Sequence, residues 1–268
     1  MTMTNADKIA VFRRMHESGC LVIPNPWDVS SAKYLQRIGF KAIGTTSAGL
    51  AWSEGRADGR ATLDETLAHF RELNAAVDVP LGAADFEDGF AEQPEEVAKN
   101  VARAVETGIA GLSIEDSNGE GLFDFALAVD RIKAARAAIE KSGSGALLTA
   151  RTEGFLRGKP NLVESIKRLK AYAAAGAECL FVPGLKTKED MKAVIDAVAP
   201  VAVNINIGRN PYSVADLAAL GARRVSVGSL AAAAYGEFMR VVDEVQEQGT
   251  FTRLAGAPSP DAMNKIFG

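Results

Sequence analysis

Acidic side chains concentrate at a few points of this sequence, in a pattern that could bind a metal ion. Residues 85–88 contain three carboxylates and residues 115–116 contain two, and each group follows a short apolar run. Carboxylates that face one cavity repel one another unless a cation lies among them, and oxygen ligands that leave room for water suit Mg²⁺. The spacing therefore predicts a magnesium site, provided that the fold brings the two groups together.

Two further features could bind an anion. Arg151 also follows an apolar run, and its guanidinium can hold a carboxylate through two parallel hydrogen bonds. Residues 45–49 are all small, so their backbone N–H groups could approach an anion closely. A structural alternative exists for each feature: Arg151 could neutralise buried carboxylates, an aspartate after a strand could cap a helix, and residues 45–49 could form a tight turn.

The elements that must position these residues alternate regularly. Eight runs with strand character lie at residues 20–24, 41–45, 80–85, 110–115, 146–151, 178–182, 200–204 and 223–227. Helical periodicity is found at residues 29–38, 63–76, 94–106, 125–140, 162–174, 188–197, 214–220 and 230–246. Glycine follows four of the helical runs, where a left-handed residue commonly ends a helix. These are Gly39, Gly108, Gly176 and Gly221.

Eight strand-helix units favour a closed α/β barrel of the (β/α)8 type over an open doubly wound sheet, and no GxGxxG follows the first strand. We expect one barrel domain over residues 1–268, with residues 251–268 as an appended element. The active site of such a barrel is built at the carboxyl ends of its strands. The polar residues predicted there are Asn25, Trp27 and Asp28, then Thr45, Thr46 and Ser47, then Asp85, Glu87 and Asp88, then Glu115 and Asp116, then Arg151 and Glu153, and then Asn204 and Asn206.

Composition excludes several classes of protein. The net charge is -4, and the basic residues are dispersed, which argues against nucleic acid or anionic lipid as a partner. Neither a secretory leader nor a membrane-spanning run is evident, so we expect a cytoplasmic protein. Cys20 and Cys179 match no metal or redox spacing, and His16 and His69 fall away from the strand ends, so all four are interpreted as structural and zinc is disfavoured.

Several motifs in their order resemble the isocitrate lyase and phosphoenolpyruvate mutase superfamily. They are residues 46–50 (TSAGL), Asp58, residues 84–90 (ADFEDGF), residues 114–116 (IED) and residues 150–153 (ARTE). The resemblance extends from about residue 21 to residue 248, and the acidic motif after the third strand is its most specific part. It implies a magnesium-dependent barrel enzyme that acts on a small carboxylate.

The resemblance also implies a role for each matching residue. Mg²⁺ would be held chiefly by Asp85, while Asp58, Glu87 and Glu115 would act through water. A substrate carboxylate would bind around Thr46, Ser47 and Ala48, and Arg151 would contact the oxygens of the ligand. Asn204 matches an asparagine that some members place on a second carboxylate of the substrate.

The chain departs from the family pattern in the segment after the fourth strand. This loop, residues 115–123 (EDSNGEGLF), is short and contains no cysteine. The thiol that donates a proton in the lyases is therefore missing, and neither Cys20 nor Cys179 can replace it. The mutase pattern is also missing, although Asn118 could supply part of it. Residues 182–184 (VPG) stand where lyases have a glutamate and mutases a histidine, and Glu87 replaces a more usual aspartate.

From these features we predict an enzyme that breaks the bond beside the carbonyl carbon of a 2-oxo or 2-hydroxy acid through a metal-stabilised enolate. Arg151, Glu115 and Asn118 are the candidate catalytic residues. Decarboxylation needs the fewest groups, whereas cleavage of a 2-hydroxy acid needs a base, for which Glu153, Tyr212 or a metal-bound water would serve. Chemistry at a phosphorus–carbon bond and a barrel that only binds 2-oxo acids are the alternatives.

The resemblance, rather than composition, predicts the assembly. Family members pair by exchanging a C-terminal helix, which residues 230–246 together with the tail to Gly268 could supply. We therefore expect a homotetramer built from two dimers.

Overall fold

Eight parallel strands form the centre of the molecule in a computed structural model, which describes residues 3–208 and 211–268. Each strand pairs with the strand that follows it in the chain from the second to the eighth, and the eighth pairs with the first. The first and second strands contact each other and complete the circle. This arrangement is the (β/α)8 barrel predicted from the alternation of elements.

The strands are β1 (Leu21–Pro24), β2 (Ile43–Gly44), β3 (Leu81–Asp85), β4 (Gly111–Glu115), β5 (Leu147–Arg151), β6 (Cys179–Phe181), β7 (Ala202–Asn206) and β8 (Arg224–Val227). The helices are α1 (Asn5–Arg14), α2 (Val29–Arg37), α3 (Ser47–Ser53), α4 (Leu63–Ala76), α5 (Pro94–Val105), α6 (Phe125–Ser142), α7 (Leu162–Ala174), α8 (Lys188–Val198), α9 (Val214–Ala219), α10 (Leu230–Gln248) and α11 (Pro260–Phe267). A 3₁₀ turn, Thr252–Gly256, precedes α11.

The predicted strands and helices agree with the structure to within about three residues at most ends. The four glycines predicted to end helices have φ values between 86° and 101°, which is the conformation expected after a helix. Residues 45–49, for which a tight turn was the structural alternative, instead lead into the short helix α3, which Thr46 caps. Close packing explains why Gly49 follows: a Cβ atom there would lie 2.7 Å from Cβ of Trp27.

Helix α1 was not predicted, although its capping box between Thr4 and Asp7 is a signal that the sequence contains. The helix closes the amino-terminal end of the barrel. Phe12 is fully buried against Ile23 and Leu147, and a Cβ at Gly82 would overlap its ring. The larger core lies between the strands and the outer helices. Because α1 covers the amino-terminal end of the barrel, a site inside the barrel can form only at the carboxyl ends of the strands.

The tail forms the appended element expected from the sequence. Helix α11 packs against α2, and Arg37 donates a hydrogen bond to the carbonyl oxygen of Ile266. Within the described parts of the chain, no helix combines the length and the apolar character that crossing a membrane would need.

Candidate active site

A large cavity of about 1140 Å³ opens at the carboxyl ends of the strands. Among its lining residues are Thr46, Ser47, Ala48, Asp58, Asp85, Glu87, Glu115, Asn118, Arg151 and Asn204. The barrel thus brings together every residue that the sequence placed in a metal or substrate site. The contacts between them determine what the cavity can do.

Asp85, the last residue of β3, lies between a serine and an arginine. One carboxylate oxygen, Oδ2, accepts hydrogen bonds from the backbone N–H (3.1 Å) and the hydroxyl (2.9 Å) of Ser47, at the start of α3. The other, Oδ1, accepts from Nη1 of Arg151 at 2.8 Å. Donors on both sides fix the plane of the carboxylate, as a ligand of a metal ion requires.

Arg151 contacts three carboxylates from its place at the end of β5. Besides Asp85, it pairs with Glu115 through Nη2 at 3.0 Å and with Glu153 through Nε at 3.1 Å. Burial would lower the pKa of Arg151, but the three carboxylates raise it above its ordinary value. The ion-pair network considered as the structural alternative is therefore present. Its carboxylates outnumber its arginine, so acidic charge remains in excess.

Glu87 contributes most clearly to this excess. Its Oε1 atom is buried and has no hydrogen-bond partner. Burial, together with the charges of Asp85, Asp58 and Asp88, raises the pKa of Glu87 to about 7.

The backbone of this loop is strained. Among the residues that the structure describes, only Glu87 (φ 46°) and Phe90 (φ 56°) have positive φ without being glycine. Arg131 of α6 holds the loop by donating to the carbonyl oxygens of Asp88, Ala91 and Glu92. The loop therefore holds an unpaired acid in place at the rim of the site.

A buried network beneath the cavity positions Glu153. The carboxylate of Asp116 accepts from the backbone N–H of Glu153 at 2.9 Å and from the hydroxyl of Tyr172 at 2.7 Å. Arg168 of α7 pairs with the same carboxylate at 3.1 Å. Asp116 thus anchors the segment after β5 to α7, and it is a support of the site rather than a lining residue.

Other predicted residues lie at the edge of the cavity or outside it. Asp58 is exposed and accepts from the backbone N–H of Gly59. Asn118 is exposed, and its carbonyl oxygen accepts from the N–H groups of Glu120 and Gly121. The hydroxyl of Tyr212 donates to the carbonyl oxygen of Lys186, and Asp28 caps α2.

The histidines and cysteines occupy structural positions. The ring of His16 packs edge-on against Phe12, and burial lowers its pKa to about 4. His69 is buried in α4, and burial likewise lowers its pKa to about 4. Cys179 lies in the barrel core and Cys20 is half-buried, and both thiols are free.

Sequence reasoning missed two arginines of the site. Arg157, after β5, donates to the hydroxyl of Ser117 at 3.0 Å and approaches Glu115 to 3.9 Å. Arg224 is buried inside the barrel and contacts Asn204. The sequence does contain a signal for Arg224. It lies two residues before Ser226 in the otherwise apolar strand β8, and residues two apart in a strand point to the same face of the sheet.

The donor set fits a magnesium ion. No three histidine, cysteine, aspartate or glutamate side chains converge on one point within residues 3–208 and 211–268. Mg²⁺ keeps several water ligands and needs only one or two carboxylates directly, with further acids acting through water. A cation bound here would give the buried oxygen of Glu87 a partner, and it would offset the excess negative charge beside Asp85.

Comparisons with known proteins identify the family of this chain. The family described as phosphoenolpyruvate phosphomutase matches residues 12–246. An uncharacterised protein of Mycobacterium tuberculosis is 38% identical over 225 residues, which cover 82% of each chain. The 2-methylisocitrate lyase of Escherichia coli is 32% identical over 202 residues, covering 70% of this chain and 67% of that enzyme.

A solved structure shares the fold over nearly the whole chain. A candidate lyase/mutase of Burkholderia cenocepacia superposes with a TM-score of 0.94 at 39% identity, covering 98% of this chain and 96% of the other. Residues 12–246, which the family model matches, contain every residue that lines the acidic side of the cavity.

Proposed function

Because the chain belongs to the superfamily of phosphoenolpyruvate mutase and isocitrate lyase, we propose that it is a Mg²⁺-dependent enzyme that cleaves a carbon–carbon bond of a small 2-oxo or 2-hydroxy carboxylate. The superfamily includes magnesium-dependent lyases and decarboxylases of small carboxylates. Decarboxylation is the reaction that we favour, since carbon dioxide leaves without the help of a base.

The observation that carries the proposal is the environment of Asp85. Its carboxylate is oriented by Ser47 and Arg151, while the neighbouring Glu87 has no partner for its buried oxygen. Asp85 would hold the metal directly, and Glu87, Asp58 and Glu115 would do so through water. When bound, Mg²⁺ would supply positive charge beside the enolate that forms as the bond breaks.

The protein residues around this position would bind and orient the acid. Arg151 has three of its donor atoms directed at carboxylates, and its remaining N–H groups could also contact an oxygen of the substrate. Ser47 holds Asp85, so it would orient the metal ligand rather than the substrate. Asn118 at the rim and Arg157 beside Glu115 could limit the access of water to the cavity.

A screen of 2-oxo acids for Mg²⁺-dependent pyruvate formation tests the proposal. We expect product from at least one acid, no turnover with EDTA, and recovery when Mg²⁺ is added back. A reaction without protein corrects for the decarboxylation that Mg²⁺ alone promotes. Ligand-induced stabilisation without product from any acid would indicate a binding protein instead, and turnover in EDTA would contradict the metal dependence.

We also propose that the chain assembles as a homotetramer of two dimers through its C-terminal helix. Helix α10 exposes Phe238, Met239 and Val242 on one face, and such apolar patches are typical of contact surfaces. Light scattering should find a species of four 28.3 kDa chains. Phe238→Asp should give smaller species, whereas Glu247→Ala on the same helix should not. A wild-type protein that scatters as a single chain would refute the assembly.

A further inference from the structure

A second cavity, of about 630 Å³, lies between helices α2, α3 and α4. Its walls are formed by these helices and by the turns beside them, and we call it the outer cavity. Among the residues that the structure describes, none lines both the outer cavity and the cavity at the strand ends. The outer cavity is therefore separate from the candidate active site.

The walls of the outer cavity carry an excess of negative charge. The carboxylates of Asp28, Glu54, Glu65 and Glu72 line it together with a single guanidinium, that of Arg56. Arg56 pairs with Glu65 at 3.0 Å. Within the described part of the chain, neither Glu54 nor Glu72 forms an ion pair. The cavity therefore attracts cations and repels anions.

A histidine in the wall of the outer cavity has ring nitrogens that the fold does not use. His69 of α4 is 6% exposed, and its Nε2 atom is buried without a hydrogen-bond partner. Nδ1 also lacks a partner among the residues that the structure describes. Burial lowers the pKa of His69 to about 4, so the ring is neutral at neutral pH and one nitrogen keeps a free lone pair.

The unpaired ring of His69 indicates a ligand independently of the acidic side chains. A buried polar group without a hydrogen bond destabilises a protein, so an apolar side chain would suit the fold alone better than this imidazole. The position of His69 in α4 is structural, but its nitrogens have a use only if a ligand supplies a hydrogen-bond donor. A cation that carries N–H groups meets this requirement.

The arrangement of the donors indicates which kind of cation fits. Glu65, His69 and Glu72 lie on one face of α4 at helical spacing. No three such side chains converge on one point within residues 3–208 and 211–268, as binding of a bare metal ion requires. Donors that are spread over a cavity suit an organic cation with separate N–H groups, and Trp27 and Leu50 offer apolar surface to its carbon chain.

We propose that the outer cavity binds a small organic cation with two ammonium or guanidinium groups, which His69, Glu54 and Glu72 recognise. The carboxylates exceed the single guanidinium of Arg56 by more than one charge, so a ligand with two positive groups fits better than a ligand with one. The proposal does not depend on the proposed function, since it involves no residue of the active site.

Titration with putrescine and butylamine tests the proposal, because putrescine differs from butylamine only in its second amino group. The chain has two tryptophans, of which Trp27 lines the outer cavity and Trp52 lines the cavity at the strand ends. The fluorescence of Trp52→Phe therefore reports on Trp27 alone. We expect a saturable change with both amines and about tenfold tighter binding of putrescine. Calorimetry with the wild-type protein should give the same order of affinities.

Variants of the cavity should weaken putrescine binding selectively. His69→Leu and Glu72→Gln should each weaken it about tenfold. His69→Leu removes no hydrogen bond of the fold and Glu72 is exposed, so thermal unfolding should show that both variants are folded. Glu95→Gln changes an exposed glutamate of α5 outside the cavity and should bind putrescine as the wild type does.

Two results would overturn the proposal. One is a titration of the wild-type protein with putrescine that gives no saturable change. The other is full affinity for putrescine in either His69→Leu or Glu72→Gln. If His69→Leu does not fold, Glu72→Gln decides, because its exposed side chain makes no contact on which the fold depends.

Further ligands identify the chemistry of the cation. Agmatine has a guanidinium in place of one amino group of putrescine, so tighter binding of agmatine would assign one position to a guanidinium, and tighter binding of putrescine would assign both to ammonium groups. Zn²⁺ added alone tests a metal site. Zn²⁺ binding that displaces putrescine and is lost in His69→Leu would assign the cavity to a metal ion and overturn the proposal.

Binding of oxalate with Mg²⁺ separates this proposal from the proposed function. His69→Leu and Glu72→Gln should bind oxalate as the wild type does, because neither residue lines the cavity at the strand ends. Putrescine binding without Mg²⁺-dependent oxalate binding would support the outer cavity and contradict the metal site. The reverse result would overturn the outer cavity as a ligand site and leave the proposed function standing.

Discussion

Replacing Asp85 with alanine is expected to weaken Mg²⁺-dependent binding of oxalate by more than a hundredfold and to remove turnover. Loss of residues that merely support a metal ligand already costs about tenfold to a hundredfold, so loss of the chief ligand should cost more. Asp85 also repels Glu87, and that repulsion disappears in the variant. The variant also breaks the pair of Asp85 with Arg151, but Arg151 keeps Glu115 and Glu153 as partners, so the protein should lose some stability and remain folded. Calorimetry with oxalate and metal analysis after dialysis measure the effect.

Two comparisons make the Asp85 result interpretable. Asp85→Asn keeps the size of the side chain and a hydrogen bond with Ser47, and it should lose the metal almost as completely. Asp130→Ala removes an exposed aspartate from α6 and should bind oxalate and Mg²⁺ as the wild type does. Unchanged metal content and affinity in Asp85→Ala would remove Asp85 from the metal site.

Replacing Arg151 with alanine is expected to lower both the stability of the fold and the affinity for the ligand. The change leaves Asp85, Glu115 and Glu153 without their shared cation, and breaking a buried ion pair costs about 3–5 kcal/mol of unfolding free energy. Mg²⁺ should restore part of this loss, because a bound cation stabilises the folded state and again neutralises the carboxylates. Chemical denaturation with and without Mg²⁺ measures both effects.

The affinity of the folded Arg151 variants tests whether Arg151 also contacts the ligand. We expect oxalate to bind about tenfold to a hundredfold less tightly to Arg151→Ala, and Arg151→Lys to recover only part of the loss because it lacks the planar fork. Arg103→Ala breaks an exposed pair with Asp64 and should change stability by less than about 1 kcal/mol. Full affinity per folded molecule would restrict Arg151 to a structural role.

Much of the fold follows from local patterns. Apolar runs alternated with helical periodicity eight times, and glycines such as Gly39 and Gly176 marked where helices end, so the barrel could be predicted from neighbouring residues alone. The fold in turn places strand ends on one face, which is why Asp85, Glu115 and Arg151 could be expected together. Helix α1 was not predicted, because its signal is a capping box that covers only Thr4 to Asp7, ahead of the first strand.

The sequence by itself determined the barrel, the end at which a site would lie and the acidic character of that end, because these depend on periods of a few residues. Only the tertiary structure decided which side chains pair. Arg151 donates a hydrogen bond to Asp85, which is 66 residues away in the sequence, and Arg224 donates one to Thr149, which is 75 residues away. No local sequence pattern extends over such separations. Closure of the barrel brings such residues together and excludes water from them. A charged group in water costs little free energy, but a buried one without a partner destabilises the fold. Burial is therefore the reason why the unpartnered atoms of Glu87 and Arg224 matter.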